Sequence, residues 1–296
     1  MGVDMKNKPD FIIVGAAKSG TTTLYRHLQN HSQVYLPNFK EPHFFSSNHP
    51  LNFEHISNRE EYYSLFHGSD DKLCGEASTA YLYFEDAPQK IHAELPNCKI
   101  IAILRDPTER ALSMWGHQVR EGLENRSLEQ ALDEELNEGI RNRDGVEYGF
   151  NYHKLGYVSH IINDYISLFG KENVLLVDYQ VLRESPENLM LSVCQFLNID
   201  PEPLASNKER FNASGNPQNA LLHQFLNSKH PLRKLLVAPL KMVLPKHKRH
   251  AIWQNLRNRN ILKGKRHRML SSTKTLLDKR FKDEVKNIKC LLEAQR

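Results

Sequence analysis

The sequence predicts an α/β protein with a central parallel sheet between two helical layers, and three observations lead there. Phe11–Val14, Ile100–Leu104 and Asn173–Tyr179 are short apolar runs with the length of strands buried on both faces. Longer segments with helical spacing lie between them, and that alternation is what the crossovers of a parallel sheet require. The third observation also places a ligand: Phe11–Leu24, FIIVGAAKSGTTTL, runs from an apolar strand through a loop of small residues into a helix.

Phe11–Val14 is the first strand. In the loop behind it, Gly15, Ala16, Ala17 and Gly20 keep side chains out of the way, so main-chain N–H groups converge on a phosphate-sized anion, and Lys18 adds a mobile charge. Thr21–Gln29 is the first helix, with Leu24 and Leu28 on one face and a positive N-terminus toward the loop. An extended stretch, HSQVYLP, returns toward the loop and ends in KEPHFF, Lys40–Phe45. Helical patterns at Glu60–Phe66 and Pro88–Glu94 flank a strand that starts near Lys72.

Ile100–Leu104 is a fully apolar strand followed at once by Arg105. An arginine at the carboxyl end of a parallel strand projects into the crevice where such sheets hold ligands. Pro107, with Asp106 or Thr108 at the cap, opens a helix that runs to Glu121. Ser113 lies about two turns along it, so hydroxyl and guanidinium share one small anion. Arginine suits a dianionic phosphate because its planar fork meets two oxygens. Helices at Ser127–Gly139, Tyr152–Phe169 and Pro186–Leu197 surround the strand at Asn173, and LLDKRFKDEVKNIKCLL closes the chain.

The loop departs from the nucleotide triphosphate motif GxxxxGK[ST]. Aligning Gly15 and Gly20 puts Thr21 where the lysine belongs and leaves Lys18 inside the loop. A strand, a glycine loop with internal lysine and Thr21-Thr22 at the helix start resemble the 5′-phosphosulfate loop of sulfotransferases that use 3′-phosphoadenosine-5′-phosphosulfate (PAPS). RDPTERALS, with Arg105 and Ser113, matches the RDPxxRxxS of that family's 3′-phosphate site. KEPHFF resembles the KExHFF of its glycan-modifying branch, heparan sulfate enzymes included, in which the glutamate is the base. VDYQVLRESP resembles the element whose tyrosine contacts adenine. CGEASTAYL resembles EKSPxYF of the heparan enzymes, with Ala77 where they carry a catalytic lysine.

The resemblance implies a P-loop-like three-layer sandwich and a PAPS-dependent sulfotransferase of the carbohydrate (heparan sulfate-like) branch. It would release adenosine 3′,5′-bisphosphate, use no metal, and act on a hydroxyl or amine of a glycan or glycolipid. It implies Glu41 as general base, with His43 as the substitute, and Lys18 at the leaving oxygen. His117, one turn after Ser113, would compensate for the lysine missing at Ala77; the plain alternative is a surface histidine. Lys18, Ser19, Gly20, Thr21 and Thr22 would hold the 5′ end, and Arg105, Ser113 and Tyr179 the 3′ end and adenine. Lys208–Gln218 would cover the 3′-phosphate with Arg210, Ser214 and Gly215, although the family's Lys-Gly sequence is missing there.

The whole chain bounds these readings. Its 296 residues suit one α/β domain, with no repeat or Gly/Ser-rich linker. Cys74, Cys98, Cys194 and Cys290 are widely spaced, as small buried thiols in a reducing compartment would be. The N-terminus runs straight into the first strand, so a cytoplasmic protein is expected. Residues 1–229 hold 21 Lys/Arg against 31 Asp/Glu, while 230–296 hold 19 against 4. That basic, mostly helical extension is expected to pack on the domain. It is either a solvated helical cover or a contact with an acidic glycan or the inner membrane face. No recognition motif supports nucleic acid. The rivals are a P-loop ATP-dependent kinase, with Asp106 holding magnesium, and a non-catalytic polyanion- or membrane-binding scaffold.

Overall fold

The computed structural model describes residues 8–49, 51, 55–69, 71–141, 147–203, 215–217, 261–263 and 267–295. Strands β1 (Phe11–Gly15), β2 (Val34–Tyr35), β3 (Leu73–Ala77), β4 (Lys99–Leu104) and β5 (Val174–Asp178) form a parallel sheet in the order β2-β3-β1-β4-β5. Period-two alternation divides its residues between two cores. Phe11, Ile13, Ile101, Ile103 and Val177 pack under α1 (Thr21–Gln29), α7 (Tyr179–Glu184) and α8 (Pro186–Leu197). Ile12, Val14, Ile100, Ala102, Leu104 and Leu176 face α2 (Arg59–Ser64), α3 (Ala87–Glu94), α6 (Ser159–Phe169) and α10 (Lys282–Glu293). Burial on both faces is why these strands read as unbroken apolar runs.

β1 and β4 are neighbours, and the chain leaves their carboxyl ends for different elements: α1 leads back to β2 at one edge, while α4 (Pro107–Arg120) lies on the way to β5 at the other. Loops that part at such a point open a crevice above the sheet, the usual ligand position in this architecture. A third core joins α4 and α5 (Leu128–Glu138) to Tyr148, Tyr152 and Leu155, and it receives Leu277 and Phe281 from α9 (Ser271–Arg280) and the turn after it. Asp106 caps α4 by accepting the Glu109 N–H at 2.9 Å, and Ser127 with Gln130 forms a capping box on α5.

The departures from expectation have tertiary causes. The helix expected from Tyr152 begins at Ser159, because the amides of His153 and Lys154 donate to the Glu135 carboxylate and the Tyr152 carbonyl accepts from Arg110. Glu284, on α10, accepts the Val158 and Ser159 N–H groups and so starts α6 from a distance. The single closing helix is two helices that meet at Phe281, whose fully buried ring stacks on His153. Tyr179–Glu184 is helical, capped by Asp178, where only a connection was expected. Cys74, Cys98 and Cys194 are buried, but Cys290 is exposed.

Within the basic extension, α9 and α10 pack on α4, α6 and β5. Ile261–Lys263 is a short strand, β7, paired antiparallel with β6 (Gly215–Pro217), so this part is not helical. The remaining helical expectation for 230–260 lies outside the described residues. Among the described residues no helix is long and apolar enough to cross a membrane.

Phe281→Ala should cost about 3–5 kcal/mol, because it empties a fully buried ring site where the two terminal helices join the core. Denaturant unfolding monitored by circular dichroism reads this directly; a loss under about 1 kcal/mol would mean that these helices do not belong to the cooperative unit.

Candidate active site

The glycine loop forms as the sequence leads one to expect. The Ala16 N–H donates to the Ile103 carbonyl at 2.9 Å, so the loop leaves β1 while anchored to β4. Lys18 adopts φ 67° and Gly20 φ 89°, two left-handed residues that turn the chain into α1. At Gly20 a Cβ would come within 2.3 Å of Leu182, so the position demands glycine on two grounds. Lys18 is half-buried, Thr21 buried and Thr22 half-buried at the start of α1. The Ser19 side chain is fully buried, and its hydroxyl has no hydrogen-bond partner among the described residues.

Arg105 joins this loop to the rest of the site. One of its terminal nitrogens donates to the Lys18 carbonyl at 3.0 Å, the other to Glu109 at 3.1 Å. Its guanidinium carbon lies 4.6 Å from the centroid of the Tyr179 ring, close enough for a cation–π contact. Arg105 Nε, itself buried, has no partner among the described residues. Three separate stretches of sequence, Lys18, Arg105 and Tyr179, thus meet on one surface. Ser113 is half-buried on α4, the helix that starts two residues after Arg105.

Glu41 reaches the same region from the other side. Its N–H donates to the Ala77 carbonyl at 3.0 Å, which pins the KEPHFF turn to the end of β3. The carboxylate accepts from Lys40 Nζ at 2.5 Å and from the Thr79 hydroxyl at 3.3 Å, and it meets His43 Nε2 at 3.1 Å. Burial works to raise its pKa, but Lys40 and His43 outweigh that and hold the carboxyl well below the usual range. The side chain remains 36 % exposed. His43 is buried, and its N–H donates to Ser78 Oγ at 3.0 Å.

Burial and, next to it, Arg120 lower the Lys18 pKa to about 8, with Glu41 and Glu121 pulling the other way. His117 is pushed far down, first by burial and then by Lys18 and Arg120. Arg120 lies 2.8 Å from His117 Nδ1, and the charges of Lys18 and Glu41 act on the same ring, so these four groups form one electrostatic cluster. Gly215 is the first residue of β6, which runs beside α4, whereas Arg210 and Ser214 lie outside the described residues. Asp106, the magnesium ligand that a kinase would need, is engaged as the cap of α4.

A family profile described as "Sulfotransferase domain" matches residues 8–224, more than half of the chain. The chain belongs to the sulfotransferase family. It is 30% identical over 200 residues to the human bifunctional heparan sulfate N-deacetylase/N-sulfotransferase 3, a match covering 65% of this chain and 22% of that protein. It is 36% identical over 113 residues to the membrane-associated sulfotransferase kil1 of Dictyostelium discoideum, covering 38% and 23%. The matches thus span less than a quarter of the length of these curated relatives. A crystal structure of a sulfotransferase from Alicyclobacillus acidocaldarius superposes with a TM-score of 0.63 at 31% identity, covering 69% of this chain and 87% of that one.

Two residues, one in the cluster and one behind it, escaped the sequence reading. Arg120 stands three residues after His117, a spacing that puts both on one face of α4 and was available as a signal. Glu76 had none, since a carboxylate inside a strand declares no partner. In this member of the sulfotransferase family it is buried near the end of β3, accepting from Tyr62 OH at 3.0 Å and from Ser78 Oγ at 2.8 Å. Ser78 Oγ is the atom that accepts the His43 N–H, so Glu76 orients the hydroxyl that holds the turn carrying Glu41 and His43. Ala77 is buried in the core under α1 and offers the site only its carbonyl.

Burial raises the Glu76 pKa from 4.5 to about 7, against the hydroxyls of Ser78, Tyr81 and Tyr62, which lower it. A carboxyl whose folded pKa lies above its unfolded one contributes stability below the unfolded value, and that stability is lost as pH rises through the folded one. Between pH 4.5 and 7 the parent should therefore lose on the order of 3 kcal/mol relative to Glu76→Gln. Urea unfolding of both proteins at pH 5 and pH 8 measures the difference; equal pH dependence would mean that Glu76 ionises normally.

Proposed function

We propose that the protein transfers a sulfuryl group from PAPS to a hydroxyl or amine of a carbohydrate acceptor, a glycan or glycolipid. The observation that carries this reading is Arg105 bonded to the Lys18 carbonyl while lying over Tyr179, which makes the glycine loop and the end of β4 one surface. One nucleotide with phosphate at both ends suits that surface. The Ser19 hydroxyl and Arg105 Nε, which have no partner among the described residues, are polar groups that an acceptor on such a ligand would satisfy. The acceptor class is supported by the KEPHFF turn and by relatives named for heparan sulfate N-sulfotransferase activity.

PAPS, when bound, supplies an activated sulfuryl group on its 5′-phosphate. Arg105 and Ser113 would grip the 3′-phosphate, and Tyr179 would pack on the adenine. Gly20, Thr21 and Thr22 would present the α1 N-terminus to the 5′ end, with Ser19 donating its hydroxyl. Lys18 would offset the charge left on the 5′-phosphate oxygen when its S–O bond is exchanged for the bond from sulfur to the acceptor oxygen or nitrogen. The acceptor's proton would pass to Glu41. A carboxylate held this low is a weak base toward a free hydroxyl, so it takes the proton as bonding to sulfur makes the acceptor acidic. The chain would act as one domain, its basic extension meeting an anionic acceptor or membrane surface.

The test combines calorimetry of adenosine 3′,5′-bisphosphate with transfer of ³⁵S from PAPS to desulfated heparan oligosaccharides. Glu41→Gln should lower turnover by about 10²-fold or more while the bisphosphate Kd changes little. Arg105→Ala should weaken bisphosphate binding by about 10- to 100-fold through the lost charged hydrogen bonds. A parent protein that does not bind the bisphosphate would overturn the proposal.

Lys18 makes the affinity pH-dependent. Its ammonium is present below pH 8 and lost above it, so the bisphosphate Kd should hold steady up to about pH 8 and then rise by up to about tenfold per pH unit. Lys18→Ala should bind weakly at every pH, without that break.

A further inference from the structure

The pairing of His117 with Arg120 determines more than a local contact. An Arg120 terminal nitrogen lies 2.8 Å from His117 Nδ1. A guanidinium has only N–H donors, so Nδ1 must present its lone pair, and in a neutral ring the single proton then sits on Nε2. Arg120 is itself steadied by Glu121, which accepts from its Nε at 3.2 Å, and its side chain is only 15 % exposed.

We propose that Arg120 is a positioning residue that locks His117 as the Nε2–H tautomer, so that His117 is a hydrogen-bond donor beside Lys18 and the proton-accepting role falls to Glu41 alone. This rests on the sulfotransferase reading and deepens it. It also answers the loss of the lysine that the heparan-like pattern would place at Ala77. The Arg120 charge and the His117 N–H together supply positive potential and a directed donor for oxygens near the transferring group, from α4 instead of β3. A protonated His117 would set a third cation against Lys18 and Arg120. The neutral tautomer keeps the donor without that repulsion.

Among the described residues the charged groups facing His117 are Lys18 from the loop, Glu41 from the turn before β3, and Arg120 and Glu121 from α4, with Glu121 3.9 Å from Nδ1. Burial, Lys18 and Arg120 favour the neutral ring, and Glu41 opposes them. An ordinary histidine titrates near about 6.5. A locked His117 stays silent there.

The experiment is imidazole nitrogen NMR on the full chain labelled with ¹⁵N-histidine, with the His117 signals assigned by comparison with His117→Gln. The parent should show an unprotonated Nδ1 and a protonated Nε2, with no titration between pH 5 and 8. In Arg120→Met the ring should sample both tautomers, with turnover down about tenfold or more and the bisphosphate Kd within about threefold. Arg120→Lys, which keeps a donor and a charge, should restore the parent tautomer. An Nδ1–H ring or ordinary titration in the parent, or an unchanged tautomer in Arg120→Met, would overturn the proposal. If Arg120→Met does not fold, the parent spectrum and Arg120→Lys still decide. A parent that shows the locked tautomer but binds no bisphosphate would leave this inference standing and remove the nucleotide reading instead.

Discussion

Arg105 directs its guanidinium at groups from two distant parts of the chain, the Lys18 carbonyl and the Tyr179 ring, and at the Glu109 carboxylate one helical turn on. The bond to Lys18 matters most. It crosses from the end of β4 to the loop after β1, the point at which the chain leaves two neighbouring strands for different elements. An arginine held there by main chain stays beside the loop, so the end of β4 and the glycine loop are assembled as one surface in advance of any ligand. Preorganisation of this kind keeps the ordering cost out of the binding step.

Charge is balanced around that scaffold at short range. Lys18, Lys40 and Arg120 are set against Glu41 and Glu121, with His43 and His117 between them. Each carboxylate has a cation or imidazole within hydrogen-bond reach, and Lys18 loses part of its affinity for a proton to burial and to Arg120. An anionic ligand beside Lys18 would relieve that pressure, and a lysine of lowered pKa is therefore better matched to an anion than to an empty site. Glu76 lies one layer further in and acts through Ser78 on the turn that presents Glu41.

Much of the architecture was legible because its signals are local. The apolar runs gave β1, β4 and β5 within a residue or two, and Pro107, Ser127 and Pro186 marked helix starts that the structure keeps at 107, 128 and 186. Where the signal was not local, the reading slipped. The start of α6 depends on Glu135 and Glu284, carboxylates 18 and 125 residues away in sequence from the amides they accept. The bend at Phe281 depends on a ring entering a core made by α4 and α5. Neither leaves a trace in the spacing of nearby residues.

The sequence by itself determined the sheet, the glycine loop with its internal lysine, and the arginine at the end of β4, because strand periodicity, small residues and residue order are properties of contiguous chain. Only the tertiary structure decided that Lys18, Arg105 and Tyr179 share one surface, that Glu41 is flanked by Lys40 and His43, and that His117 faces Arg120 with Glu76 buried behind Ser78. Those facts are distances between groups far apart in the chain or side-chain orientations set by packing, and they arise only when the layers close on one another.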